Sequence, residues 1–237
     1  MEFSIASLLA NVSSDKLVTV KTLEKKLNCS GSQDLQIALD ALERTQVLER
    51  SRGKYRRLED EDVIEGKLRC SSKGFCFAIQ DEEGADDIYV RESQLNSAWN
   101  GDRVLVKVTK DGSRRRSPEG EVKLILERAN ASVLAKVKVE EPDDEDESPQ
   151  FKAVPLDDRL LFELDITESE EDLADSNDHL IHVEITRYPS AQYPPQGKVS
   201  SILGSDAEDA ADIDIVYCKH DLPRIFSEEV FIAARGL

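Results

Sequence analysis

Lys73, Gly74, Phe75, Cys76 and Phe77, followed a strand later by Asp87, Ile88, Tyr89, Val90 and Arg91, constrain this chain more than any other stretch. Side chains alternate faces along a strand, so Phe75 and Phe77 point the same way. If that face meets solvent, the two rings offer flat platforms to successive unpaired nucleic-acid bases, each stack contributing about 1–3 kcal/mol, and Lys73 stands ready for phosphate. The other reading turns both rings into a barrel interior, where aromatic residues commonly sit.

The words KGFCF and DIYV resemble the paired signatures of a cold-shock domain. The surrounding pattern agrees: Gly66 is expected to open a strand, Asn100, Gly101 and Asp102 to turn, and Val104, Val106 and Val108 to alternate along a later strand, as in a five-stranded OB barrel. The resemblance implies base stacking by Phe75, Phe77 and Tyr89, with Lys73 and Arg91 beside them. Two features depart from it. Cys70 stands about where such a domain supplies a further tryptophan, and the loop before Lys73 is short. Both imply weaker binding by this barrel alone than by a free-standing cold-shock protein.

A net charge of −18 argues against a uniformly RNA-binding surface, because affinity for nucleic acid rests heavily on Lys and Arg contacts to phosphate. The acid is segregated. One run spans Glu140 to Glu147 and another Glu168 to Asp178, while basic residues gather at Arg50, Arg52, Lys54, Arg56 and Arg57, and again from Arg103 to Arg116. Arg114, Arg115 and Arg116 fall in a polar loop, Asp111 to Gly120, where they either are merely solvated or track a phosphate backbone beside the aromatic platform. The acidic runs read as solvated loops or as an arm that competes with RNA for the basic patch.

Cys29, Cys70, Cys76 and Cys218 show no C-x-x-C and no His/Cys cluster, so reduced thiols are expected, with neither a zinc site nor a disulfide framework. No stretch has the apolar length of a membrane helix and no targeting segment is recognisable, which leaves a cytoplasmic location and no membrane partner as the expectation.

Along the chain, residues 1–60 read as three short helices and a basic hairpin, a winged-helix pattern whose third helix carries Asp34, Asp40 and Glu43. Carboxylates there would repel the phosphates flanking a major groove. Residues 61–128 form the barrel with KGFCF. Residues 129–204 carry a second strand rhythm, with strands expected at Val133–Val139, Leu160–Leu164, Leu180–Ile185 and Gly197–Leu203 and no stacking word. Residues 205–237 read as a linker and the start of a further domain. The fold class expected is α+β and multidomain: a small winged-helix domain followed by two tandem antiparallel OB-fold, cold-shock-like β-barrels.

This order, with GKLRCSSKGFCF, DDIYV and NGDRV in the first barrel and PLDDRL, EITRYP and GKVSSILG in the second, resembles the N-terminal part of the ribonuclease R and ribonuclease II family. The resemblance implies a Mg-dependent 3′-to-5′ exoribonuclease whose catalytic aspartates stand in a D-x-D-D word. That word is absent here, since Gly84, Glu141 and Pro155 precede the aspartate pairs Asp86/Asp87, Asp143/Asp144 and Asp157/Asp158 by two or three positions. Asp206, Asp209, Asp212 and Asp214 read as a polar linker. His179, His182 and His220 have no nucleophile partner at a recognised spacing, so no catalytic residue and no metal or other cofactor is expected in this chain, magnesium belonging to a missing or separately encoded catalytic domain. Single-stranded RNA is the expected partner. The rival readings are a stand-alone RNA-binding regulator or RNA chaperone and, against the acidic third helix, a winged-helix transcription factor.

Overall fold

The computed structural model describes residues 3–140, 149–190 and 193–204, together with Val216. Most of the first acidic run, and apart from Val216 the stretch from 205 to 237 with its aspartates and His220, lie outside the described residues. The chain divides into two compact units between Ala129 and Asn130.

The first unit opens with helices α1 (Ile5–Ala10), α2 (Val20–Leu27) and α3 (Gln33–Arg44). Each begins at a hydroxyl that accepts from a first-turn amide: Ser4 from Ser7, Thr19 from Thr22 and Ser32 from Leu35. Strands β1 (Val18–Thr19), β2 (Leu48–Ser51) and β3 (Lys54–Arg57) form a sheet in the order β1-β3-β2. The β2–β3 hairpin turns through Arg52 (φ 48°) and Gly53 (φ 75°), the two successive positive φ values that a two-residue hairpin loop requires. On α3, Asp34 and Ile37 face solvent while Asp40 and Glu43 are half-buried.

Strands β4 (Val63–Cys70), β5 (Cys76–Ile79), β6 (Ile88–Val90), β7 (Arg103–Lys110) and β8 (Glu119–Glu127) close a barrel in the order β4-β5-β6-β8-β7. Gly66 does not open β4 but lies within it. There the strand passes from pairing with β7 to pairing with β5, and a Cβ would stand 2.8 Å from the Ile79 carbonyl oxygen. Leu68, Cys76, Ala78, Ile88, Val90, Val104, Val106 and Val122 fill the interior. Leu105 and Leu126 point outward instead and join the core of α1, α2 and α3, so the helical segment and the barrel bury a common apolar face. Asp102, fully buried, ties the turn after Trp99 together: its carboxylate accepts from the Trp99 and Ala129 amides and from Arg128 Nη1, 2.9 Å away.

The second unit is a barrel of β9 (Ser132–Glu140), β10 (Gln150–Pro155), β11 (Leu164–Ser169), β12 (Leu180–Arg187) and β13 (Gln196–Gly204), in the order β10-β11-β13-β12-β9. Read from its first strand, this is the strand order of the first barrel. The strand expected at Leu160–Leu164 is a loop here. Asp157 turns the chain, its carboxylate gripping Arg159 and its carbonyl accepting from the Leu160 amide, and β11 starts only at Leu164.

The thiols depart from expectation. The β4–β5 register sets Cys70 directly opposite Cys76, with Cα atoms 4.0 Å apart, and their sulfurs form a disulfide. The backbone hydrogen bond falls on the next pair, from the Ser71 amide to the Phe75 carbonyl, so Cys70 and Cys76 occupy a non-hydrogen-bonded position, where cross-strand side chains come closest. Cys29 is free and buried.

Candidate nucleic-acid interface

The interior alternation of β5 and β6 decides where the aromatic residues go. Cys76, Ala78, Ile88 and Val90 point into the core, which places Phe77 and Tyr89 on the outer face as direct cross-strand partners. Their ring centroids are 5.4 Å apart and tilted by 53°, a favourable arrangement for two aromatic quadrupoles. Phe75 precedes β5 rather than lying in it. A tight turn carries it, with the Gly74 amide donating to the Ser71 carbonyl, the Phe75 amide donating to Ser71 Oγ, and Gly74 at φ 78°. The turn leaves Phe75 52% exposed, with its ring 6.5 Å from that of Tyr89.

Lys73, Phe75, Tyr89 and Arg91 line one open cleft of about 760 Å³, with Gly74, Glu92 and Ser93 completing its wall. Arg91 donates to Glu119 (2.9 Å), which Lys110 also reaches at 3.2 Å. Lys110 first, and then Arg91, holds the Glu119 carboxyl below the usual carboxylate range. Arg114, Arg115 and Arg116 are exposed at the tip of a small hairpin closed by backbone bonds between Ser113 and Arg116. That hairpin is rooted beside the aromatic residues, since the Tyr89 amide donates to the Pro118 carbonyl at its base (2.8 Å). Elsewhere in the basic clusters Arg103 is engaged by Glu65 and Asp81, and Arg56 by Glu49. Sequence reasoning missed Glu119 and Ser71. Glu119 belongs to no motif and only the strand register brings it within reach of Arg91, while Ser71 lies inside the word GKLRCSSKGFCF and gains its part only through the turn it closes with Gly74 and Phe75.

The second barrel presents a different surface at the same place. Ala153 pairs with buried Leu164 as Ala78 pairs with buried Ile88, and Gly197 faces Ile166 as Gly120 faces Val90. In that register Lys152 and Asp165 occupy the positions of Phe77 and Tyr89. The face is a lattice of ion pairs: Lys152 to Glu140 at 2.8 Å, Lys138 to Glu140 at 2.9 Å, and Lys138 to Glu163 at 3.2 Å. Lys152 and then Lys138 hold the Glu140 carboxyl below its ordinary range. At the two positions that carry Phe77 and Tyr89 in the first barrel, this face therefore has charged side chains in place of rings. His182 bonds to Ser200 rather than to a second histidine, and among the described residues no group of His, Cys, Asp and Glu is placed to hold a metal. Among the same residues no helix is long and apolar enough to cross a membrane.

Two closed barrels with cold-shock strand order, the first bearing an exposed aromatic cleft, define a tandem OB-fold protein. Residues 6–58 match the family described as Cyanobacterial RNase R, N-terminal domain; residues 66–125 match Ribonuclease B OB domain, and residues 153–227 match Cold shock domain. The chain therefore carries the N-terminal domains of the ribonuclease R family. It is 59% identical over 240 residues to the acetazolamide conferring resistance protein zam of Synechocystis, all of this chain against 30% of that protein. To ribonuclease R of Thermotoga maritima it is 29% identical, over 94% of this chain and 30% of the relative. The chain thus spans about a third of these relatives' length. Among solved structures, RNase R of Mycoplasma genitalium in complex with ribose methylated single-stranded RNA shares the fold at TM-score 0.57 and 18% identity, covering 73% of this chain and 27% of that one. Yeast Ssd1, a pseudonuclease, does so at TM-score 0.52 and 17% identity, over 68% of this chain and 25% of its own.

Proposed function

We propose that this chain binds single-stranded RNA as the substrate-gathering N-terminal region of a 3′-to-5′ exoribonuclease of the ribonuclease R type, serving RNA degradation and processing. One observation carries the reading: Phe75, Phe77 and Tyr89 gather on the outer face of the first barrel, beside Lys73 and Arg91. Bases stack on rings irrespective of sequence while cations follow the phosphates, which suits an enzyme that must accept any transcript. The arginines at 114–116 extend the phosphate path from the base of Tyr89. The Mycoplasma relative, captured with single-stranded RNA, supports the same substrate class. Hydrolysis, with its magnesium, belongs to the catalytic part of the longer relatives; this region holds the strand and delivers its 3′ end.

Fluorescence anisotropy of a labelled single-stranded RNA against the purified chain tests the reading. Phe75→Ala with Phe77→Ala should weaken binding at least tenfold, since each lost stack is worth about 1–3 kcal/mol. Circular dichroism of the double variant should match the parent, because Phe75 is mostly exposed and Phe77 half-buried on the outer face. Unchanged affinity in a folded double variant would remove these rings from the interface.

A further inference from the structure

We propose that Cys70 and Cys76 form a reversible thiol–disulfide site whose closure latches the loop carrying Lys73 and Phe75, and so sets the affinity of the aromatic cleft for single-stranded RNA. The RNA consequence rests on the reading of the cleft given above; the latch itself does not.

The location carries the inference. The disulfide spans only Ser71 to Phe75, and that short loop holds three of the cleft's lining residues, Lys73, Gly74 and Phe75. Cys76 also lies between Phe75 and Phe77, with its own side chain turned inward. The second barrel shows that the cross-link is not needed to close this fold. There Val139 pairs with Phe151 at the matching register, and the barrel closes in the same strand order without a sulfur. The covalent bond is thus confined to the barrel that has the aromatic cleft, at the base of the loop that shapes it.

Without the disulfide the loop is closed by three weak ties: Ser71 amide to Phe75 carbonyl, Gly74 amide to Ser71 carbonyl, and Phe75 amide to Ser71 Oγ. Their opening exposes the cysteines, of which Cys70 is 6% and Cys76 0% exposed in the closed loop. The chemistry balances with a low-molecular-weight disulfide such as oxidised glutathione as oxidant. The Cys70 thiolate attacks it, forming a mixed disulfide and releasing one glutathione thiolate. The Cys76 thiolate then attacks the Cys70 sulfur and releases the second. Two protein thiols lose two electrons and two protons, and one glutathione disulfide becomes two thiols.

The dithiol form must order Lys73 and Phe75 when RNA arrives, whereas the disulfide form has them ordered already. The disulfide form should therefore bind about tenfold more tightly. Linkage makes the effect reciprocal: saturating RNA must favour the disulfide over the dithiol by the same factor. A tenfold preference lowers the reduction potential of the pair by about 30 mV.

The experiment equilibrates the whole chain in glutathione buffers of graded ratio, with and without a labelled single-stranded RNA. Peptide mapping reads the Cys70–Cys76 link, amide hydrogen exchange reads residues 71–76, and anisotropy reads RNA affinity in each form. The expected result is a single reversible transition, slower exchange and about tenfold tighter RNA binding in the oxidised form, and a transition about 30 mV lower with RNA present. Cys70→Ser with Cys76→Ser should bind like the reduced parent at every ratio. Failure of the link to form at any ratio, or equal exchange and equal affinity in the two forms, overturns the proposal. If exchange differs but neither form binds RNA, the RNA reading falls and the latch stands.

Discussion

Glu119 governs how much charge the aromatic cleft offers to a phosphate. Its carboxylate engages both Arg91 and Lys110, so two cations at the edge of the platform are bonded to the protein itself. A phosphate must compete with that carboxylate for each of them. Replacing Glu119 by Gln removes one negative charge and releases both cations. Single-stranded RNA binding should tighten by about two- to fivefold at physiological salt, read by anisotropy, because each released cation is free to displace counterions from the strand. Loss of affinity in Glu119→Gln would mean that Arg91 needs the carboxylate to hold it in place. The same residue shows how sequence and structure divide the information. Phe75, Phe77, Tyr89, Lys73 and Arg91 are legible because residue type and period two coincide in two short words. Glu119 is not, because only the parallel pairing of β8 with β6 brings it opposite Tyr89. The Cys70–Cys76 link is hidden for the same reason. A C-x5-C spacing has no motif, and it becomes a bond only when a hairpin sets the two residues in register.

At the scale of elements, the strands of the first barrel were legible, though not all their ends, because Val104, Val106 and Val108 recur at every second position and the words around KGFCF mark the hairpin. The second was legible in part. Strand β10 follows an acidic run and carries Lys152 in its middle, so its short apolar signal is diluted, whereas the Leu-rich run from Leu160 to Leu164 imitates a strand that Asp157 turns into a loop. What composition hid altogether is that Leu105 and Leu126 face outward to the helices. The run Val104-Leu105-Val106 is apolar on both sides, and no period distinguishes its two faces. The comparison of the two barrels carries a functional consequence. One strand order supports an aromatic face in the first and a self-paired charged face in the second, so the fold alone does not make a base-stacking site. Lys138 and Lys152 already have Glu140 and Glu163 as partners. Lys138→Ala with Lys152→Ala should therefore change single-stranded RNA affinity less than about twofold, by anisotropy, far below the cost of the two phenylalanines. A tenfold loss would show that RNA displaces the glutamates and that the second barrel's face is part of the path.

For the whole molecule the governing quantity is the conflict between a local basic path and a net charge of −18. The range of that conflict depends on salt. At about 0.15 M the Debye length is about 8 Å, so distant carboxylates are screened from a strand lying on the cleft; at about 0.01 M it reaches about 30 Å, and much of the acidic protein is felt. Lys73 and the three arginines at 114–116 offer four local cations, and Arg91 is a fifth once a phosphate displaces Glu119 from it. Single-stranded nucleic acid releases roughly 0.7 counterion per phosphate neutralised, so above about 0.1 M the plot of log affinity against log salt should fall with a slope of about −3.5. Below about 0.05 M the slope should flatten, because unscreened acidic surface then opposes the approach of RNA as fast as the local path gains from reduced salt. Replacing Arg114, Arg115 and Arg116 by glutamine should reduce the high-salt slope by about 2 and leave stacking on the rings intact. Anisotropy titrations across that salt range measure both quantities. A slope that stays constant to the lowest salt would mean that the acidic surface lies outside the RNA's field, and an unchanged slope in the arginine variant would confine the phosphate path to Lys73 and Arg91.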